Sequence, residues 1–167
     1  MSDKSNDFVI SRDFAVPRAT LWACFTEPER MRQWWGPKGC KVVAANMDLR
    51  PGGFYHYGLQ MPDGKTIWGK FVFREIVPPE RMVFTNFFSD EKGGVTRHPL
   101  APTWPLEMLS TFTFDDLGAK SRFTVRWSPH NASEEERDVF SSDAMRAGMT
   151  QGWSGTMDQL EEYLRTL

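Results

Sequence analysis

The sequence predicts an α+β fold: a curved antiparallel sheet of seven strands wrapped around a long C-terminal helix, with two short helices after the first strand. Three observations predict it. Residues 40–128 read as successive β-type segments separated by short turns, and strands joined by short turns pair antiparallel. Residues 133–164 open with a capping signal and continue with apolar positions at helical spacing. The apolar stripe of that helix needs a wide surface to bury it, and one face of a twisted sheet is the only such surface available. A gap between helix and sheet is where a cavity forms.

The elements follow in order. Phe8-Val9-Ile10-Ser11-Arg12-Asp13-Phe14 is a β-rich run that settles into alternation, Ile10 and Phe14 against Arg12, and predicts the first strand. Pro17 opens a helix whose apolar residues include Leu21, Trp22, Cys24 and Phe25. Pro28 ends it and starts a second short helix over 28–35, which Gly36-Pro37-Lys38-Gly39 stops. Strands are expected over 40–49, 54–61, 66–77, 81–88, 106–114 and 121–128. Arg50-Pro51-Gly52-Gly53 and Pro62-Asp63-Gly64-Lys65 are turns, Pro78-Pro79-Glu80 is another, and residues 115–120 form the last. Residues 89–105 hold Gly93-Gly94, Pro99, Pro102 and Pro105 and predict an irregular connection. Ser133 with Glu136 forms a capping box, and three successive Glu residues suit the positive end of the helix that runs to Leu164.

Composition bounds the function. With 167 residues the chain has the length of one domain, 1–167, with an ordered core over about 8–165. Lys plus Arg is 20 against 22 Asp plus Glu, and the net charge of −2 argues against nucleic-acid binding and against a polybasic membrane anchor. No apolar run approaches the roughly 18 residues of a membrane span. The polar N-terminus has no signal-peptide core, so a cytoplasmic protein with reduced Cys24 and Cys40 is expected. Seven Trp, 13 Phe and 9 Met beside 3 Tyr point to a very aromatic core or a lined cavity.

Alternation selects the residues that face inward. Tyr55, Tyr57 and Leu59 form the more apolar face of their strand, Phe71 and Phe73 face inward opposite Lys70 and Arg74, and Phe123, Val125 and Trp127 face inward opposite Arg122 and Arg126. Met145, Met149, Trp153 and Met157 form the helix stripe facing the sheet. Of the Trp34-Trp35 pair, one closes the cavity mouth and the other packs at the surface. The candidate ligand-binding residues are therefore Trp35, Tyr55, Tyr57, Phe71, Phe73, Trp127, Met145, Met149, Trp153 and Met157. For the inward residues of 54–61, core packing is the favoured alternative to lining the cavity. Gly148, Gly152 and Gly155 cost helix propensity, and they either leave room for a ligand or permit close packing or a kink. Trp68 shares a face with Lys70 and is expected at the surface or rim.

Catalytic signals are sparse. His56, His98 and His130 are far apart and lack metal-ligand spacing, and no nucleophile elbow, phosphate loop or dinucleotide motif is present, so no metal and no cofactor is expected. Glu107 would be a buried acid if it faced inward, but Met108, Phe112 and Phe114 on the opposite face favour its facing outward. Asp48, Arg50, Glu80 and Arg81 suit turn stabilisation better than catalysis.

Four groups of residues carry a family resemblance. They are Pro28-Glu29 with Trp34-Trp35-Gly36-Pro37; Asp48-Leu49-Arg50-Pro51-Gly52-Gly53; Pro62-Asp63-Gly64 with Glu75-Ile76-Val77-Pro78-Pro79-Glu80-Arg81; and Ser133-Glu134-Glu135-Glu136-Arg137 with Gly148-Met149, Gly152-Trp153 and Leu160. In this order they resemble the homologues of the activator of heat-shock-protein ATPase, the Aha-type C-terminal domain of the START-like or SRPBCC superfamily. The resemblance implies a helix-grip fold with a deep pocket between sheet and last helix. The superfamily includes lipid and hormone binders, polyketide cyclases and co-chaperone domains.

Three functions are therefore expected in order. The first is binding of a small, largely hydrophobic molecule. The second is a cyclase- or lyase-type enzyme using the same pocket. The third is a co-chaperone-like interaction module, with a chaperone as partner. The activator's additional N-terminal domain is not part of this sequence, which places the third reading last. A homodimer through Trp68 and the region of Trp104 is a further expectation.

Overall fold

A computed structural model describes residues 7–98 and 101–167. The polar segment 1–6 and Pro99 lie outside the described residues. The chain runs β1 (Phe8–Phe14), α1 (Arg18–Thr26), α2 (Pro28–Trp34), β2 (Lys41–Asp48), β3 (Phe54–Gln60), β4 (Thr66–Val77), β5 (Arg81–Ser89), β6 (Val95–Thr96), β7 (Glu107–Leu117), β8 (Lys120–His130), α3 (Glu134–Ser141) and α4 (Asp143–Leu164). Every strand pairing is antiparallel, in the order β1-β8-β7-β5-β4-β3-β2, with β6 a two-residue addition paired to β5. This is the expected helix-grip α+β architecture.

β1 and β2 are consecutive strands on opposite edges of the sheet. The chain between them must cross the sheet, and it does so as α1 and α2, which contact β7, β8 and β2. Their apolar residues fill one end of the concave face. Phe25 of α1 meets Phe112, Phe114 and Phe123 with ring centroids 5.6, 5.0 and 4.6 Å apart. Such aromatic pairs add roughly 0.5–1.5 kcal/mol each beyond area burial.

Several elements differ from expectation. The C-terminal helix is two helices. Ser142 is extended, with ψ 148°, its hydroxyl donates to the Val139 carbonyl at 2.8 Å, and its oxygen accepts from the Met145 N–H at 3.3 Å. Ser142 thus ends one helix and caps the next, with Asp143 in the first turn. The expected capping box at Ser133 and Glu136 opens α3. Residues 115–117 continue β7, because Gly118 at φ +84° turns the chain within two residues. The irregular connection contains the short β6 ladder. Arg12 does not oppose Ile10 and Phe14; residues two apart share a face, and Arg12 points inward with them.

That inward Arg12 fastens α4. Its guanidinium contacts Asp158 at 2.8 Å and Glu161 at 3.3 Å. On the other flank, Gln159 Nε2 donates to the carbonyls of Trp34 and Gly36, at 3.2 and 2.9 Å. Between these polar ties, Trp153, Met157 and Leu160 are buried in the main core. Gly155 allows the close approach here: a Cβ would stand 3.2 Å from the Lys38 backbone nitrogen.

Both Trp34 and Trp35 are buried, which corrects the expectation that one lies at the surface. α2 ends at Trp34, and Trp35 takes an extended conformation, so the two rings diverge without either leaving the interior. Trp34 Nε1 donates to the Cys24 carbonyl at 3.1 Å. Trp104 is also buried, against Phe140.

Cys24 and Cys40 are free and buried, and burial pushes the Cys24 thiol up to about 11. Both should resist iodoacetamide at pH 8 in the folded protein and react readily once unfolded by urea. Rapid alkylation of native Cys24 would contradict this packing.

Candidate functional site

A cavity of about 470 Å³ lies between the concave face of the sheet and the N-terminal two-thirds of α4. Tyr57 and Leu59 of β3, Ile67, Gly69 and Phe71 of β4, Phe84, Asn86 and Phe88 of β5, Met108 and Phe112 of β7 and Trp127 of β8 form its floor. Met145, Gly148, Met149, Gly152, Trp153 and Thr156 form its roof. The Trp35–Pro37 turn lines one end, and His98 with Trp104, Pro105 and Leu106 lines the other. Arg97 holds that second end in place through an ion pair with Glu136 and a hydrogen bond to the Trp104 carbonyl.

Of the ten candidate residues, Trp35, Tyr57, Phe71, Trp127, Met145, Met149 and Trp153 line this space. Tyr55, Phe73 and Met157 do not; they are buried in the packed core. Each stands one pleat or one helical turn beyond a lining residue. Alternation assigns a face, but not the distance along that face at which packing ends and space begins. The glycines of α4 divide accordingly. A Cβ at Gly148 or Gly152 meets nothing within 4 Å, whereas Gly155 lies against backbone.

The polar groups around the cavity include Asn86 and Thr156, which were not among the expected site residues. Asn86 follows Met82 and Phe84 at strand spacing, which is the signal that places it inward. Its Oδ1 accepts from the buried Ser110 hydroxyl. Thr156 Oγ1 donates to the Gly152 carbonyl at 2.9 Å. Tyr57 lies flat over β4, because Gly69 has no side chain there: a Cβ would stand 2.4 Å from the Tyr57 hydroxyl. The Trp35 and Tyr57 rings meet edge to face at 5.7 Å. Trp35 is 7% exposed, and its Nε1 makes no hydrogen bond of ordinary geometry. Burial raises the Tyr57 hydroxyl to about 12, and the nearby Trp35 N–H opposes part of that rise. Burial also raises Tyr55, which stacks on Tyr57 at 5.0 Å. His98, between Phe88 and Trp104, is held below the usual imidazole range by burial.

The other candidates lie elsewhere. Glu107 alternates with the buried Met108 and Ser110 and belongs to the convex face, opposite His130 in the ladder. His56 also faces outward, with Nε2 3.1 Å from the Asp90 carbonyl and its ring stacked on Trp68. Trp68 contributes to the rim of the cavity. Asp48 pairs with Arg50 at a turn, and Arg81 at the start of β5 pairs with Glu75 of β4 rather than with Glu80. Among the described residues no cluster of three His, Cys, Asp or Glu side chains is placed to hold a metal.

An open antiparallel sheet gripping a C-terminal helix over an apolar cavity defines a helix-grip protein. Residues 15–165 match the family described as activator of Hsp90 ATPase homolog 1-like protein, and the chain belongs to that family. Its fold is similar to that of a Mycobacterium smegmatis protein (23% identity, TM-score 0.77, covering 98% of this chain and 93% of that one). It is likewise similar to a Nitrosomonas europaea protein (24% identity, TM-score 0.75, 99% and 97%). A member of the same family from Silicibacter pomeroyi also shares the fold (21% identity, TM-score 0.71, 96% and 98%). The comparison with curated proteins finds no match.

Two predictions follow from this geometry. Gly148→Ala and Gly152→Ala add methyl groups to open space and remove a helix penalty, so each should hold or raise stability by up to about 1 kcal/mol. Thermal unfolding checks this, and a loss in both would mean that the roof is packed.

The second concerns alkaline pH. Cys24 rises from 9.0 to about 11 and Tyr57 from 10.0 to about 12, and Tyr55 also rises. The unfolded chain therefore releases these protons first, and the folded state binds more protons between the two values. The stability these groups contribute is fully present below pH 9 and falls as pH rises through 9–12. Urea unfolding across pH 7–11 should show this fall, and the combined Cys24→Ala and Tyr57→Phe variant should flatten it.

Proposed function

We propose that this protein binds a small, largely hydrophobic molecule in the cavity between the sheet and α4. The observation that carries this reading is the apolar space of about 470 Å³, spanned by the half of α4 that carries Gly148 and Gly152. Ligand pockets commonly enclose about 300–1,000 Å³, with apolar walls and a few placed polar groups. Gly152 is half-buried over this space, whereas Gly148 is exposed at its edge. Among the described residues no helix is long and apolar enough to cross a membrane. A cytoplasmic location is part of this proposal. A cyclase- or lyase-type reaction in the same cavity would have Tyr57 and His98 as its titratable groups among the described lining residues.

The neutral fluorophore N-phenyl-1-naphthylamine tests the reading. Its emission should rise saturably with one site per chain. Gly152→Phe, which fills the roof, should weaken binding by at least about tenfold, the equivalent of 1.4 kcal/mol. Absence of saturable binding, or equal binding by a folded Gly152→Phe variant, would overturn the reading.

A further inference from the structure

We propose that the cavity selects an uncharged ligand bearing a hydrogen-bond acceptor, such as a ketone or amide carbonyl, held by the Tyr57 hydroxyl and the Asn86 side-chain amide. This inference rests on the binding function proposed above and specifies the chemistry of what is bound.

Charge is the first argument. Among the described residues that line the cavity there is no Asp, Glu, Lys or Arg. The two titratable groups are both neutral at pH 7.5, since burial keeps Tyr57 protonated and His98 unprotonated. An anionic ligand entering this space would lose its hydration without meeting a counter-charge, and an isolated buried charge is far more costly than a buried dipole. The lining therefore discriminates against carboxylates, however well their apolar parts fit.

Hydrogen-bonding capacity is the second. The Asn86 Oδ1 is occupied by Ser110, which leaves the amide nitrogen as its available end. Tyr57 presents an O–H. The Trp35 Nε1–H is buried in the cavity wall beside the Tyr57 hydroxyl. Tyr57 and Asn86 thus offer two donors, and a donor is satisfied by an acceptor.

Placement is the third. The Tyr57 hydroxyl lies over Gly69, whose absent side chain makes room for it. Gly69 pairs with Phe88, and Phe71 pairs with Asn86, so Gly69 and Asn86 are diagonal neighbours across β4 and β5. Diagonal positions lie about 7–8 Å apart, which a ring-sized ligand can bridge. The rings of Phe71, Phe84 and Phe112 lie around the same region of the floor and favour a flat apolar body.

Three probes of nearly equal size separate the possibilities: 2-ethylnaphthalene, 2-acetylnaphthalene and 2-naphthoate, titrated at pH 7.5 and followed by NMR. The ketone should bind about 3–10-fold more tightly than the hydrocarbon, the range of one net hydrogen bond. The carboxylate should bind at least about tenfold more weakly than the ketone, because its charge is buried unpaired. Tyr57→Phe should remove much of the ketone's advantage and leave 2-ethylnaphthalene binding unchanged. Asn86→Leu provides the same comparison if Tyr57→Phe fails to fold. Naphthoate binding as tightly as the ketone would overturn the inference while leaving the binding function intact. A ketone advantage that survives both substitutions would overturn it equally. Failure of all three probes to bind would instead overturn the binding function.

Discussion

The structure depends on how α4 is fastened. Its C-terminal half is held on both flanks, by Arg12 of β1 through Asp158 and Glu161, and by Gln159 through the carbonyls after α2. Met157 and Leu160 anchor that half in the core. The half that carries Gly148 and Gly152 spans the sheet without filling the space beneath. A helix clamped at one end and capped afresh by Ser142 at the other can bridge a void that a flexible segment would collapse into. The cavity is thus a consequence of where the clamps stand, not of the apolar stripe as such.

The sheet topology supplies the second constraint. Because β1 and β2 occupy opposite edges, the crossing helices must lie on the concave face. They fill one end of it with Leu21, Cys24, Phe25, Met31 and Trp34, all buried. The opposite end is lined by Trp104 packed on Phe140, with Arg97 paired to the capping carboxylate Glu136. What stays open is the middle. The aromatic rings there form a connected set running from Phe25 through Phe112 and Trp153 to Trp35 and Tyr57. Rings held edge to face on several sides resist rotation, so the walls keep their shape without being packed against a ligand.

The polar groups of the cavity are few. Within an apolar wall each unmet donor is costly, and an oxygen of the right ligand recovers that cost. Under the proposed function, Tyr57 and Asn86 are the groups that would orient a bound molecule.

Much of the fold was legible in the sequence. Alternation, turn residues and the Ser133–Glu136 capping box located the strands and the start of the helical segment, because these signals act over a few residues. They also assigned Tyr57, Phe71, Trp127, Met149 and Trp153 to the inner faces. The break at Ser142 was legible in principle, as a Ser followed by Asp, but a continuous stripe across it concealed the cap. Other features arise only from long-range packing. Arg12 faces inward because strand periodicity demands it, yet its partners lie more than 140 residues away. Periodicity likewise gave Tyr55 and Tyr57 the same face and could not say that one is core and the other cavity wall. Local sequence determined which side chains point inward, since backbone geometry sets that within two or four residues. Tertiary structure alone decided which of them touch protein and which touch empty space, since that depends on the helix clamped across the sheet from the far end of the chain.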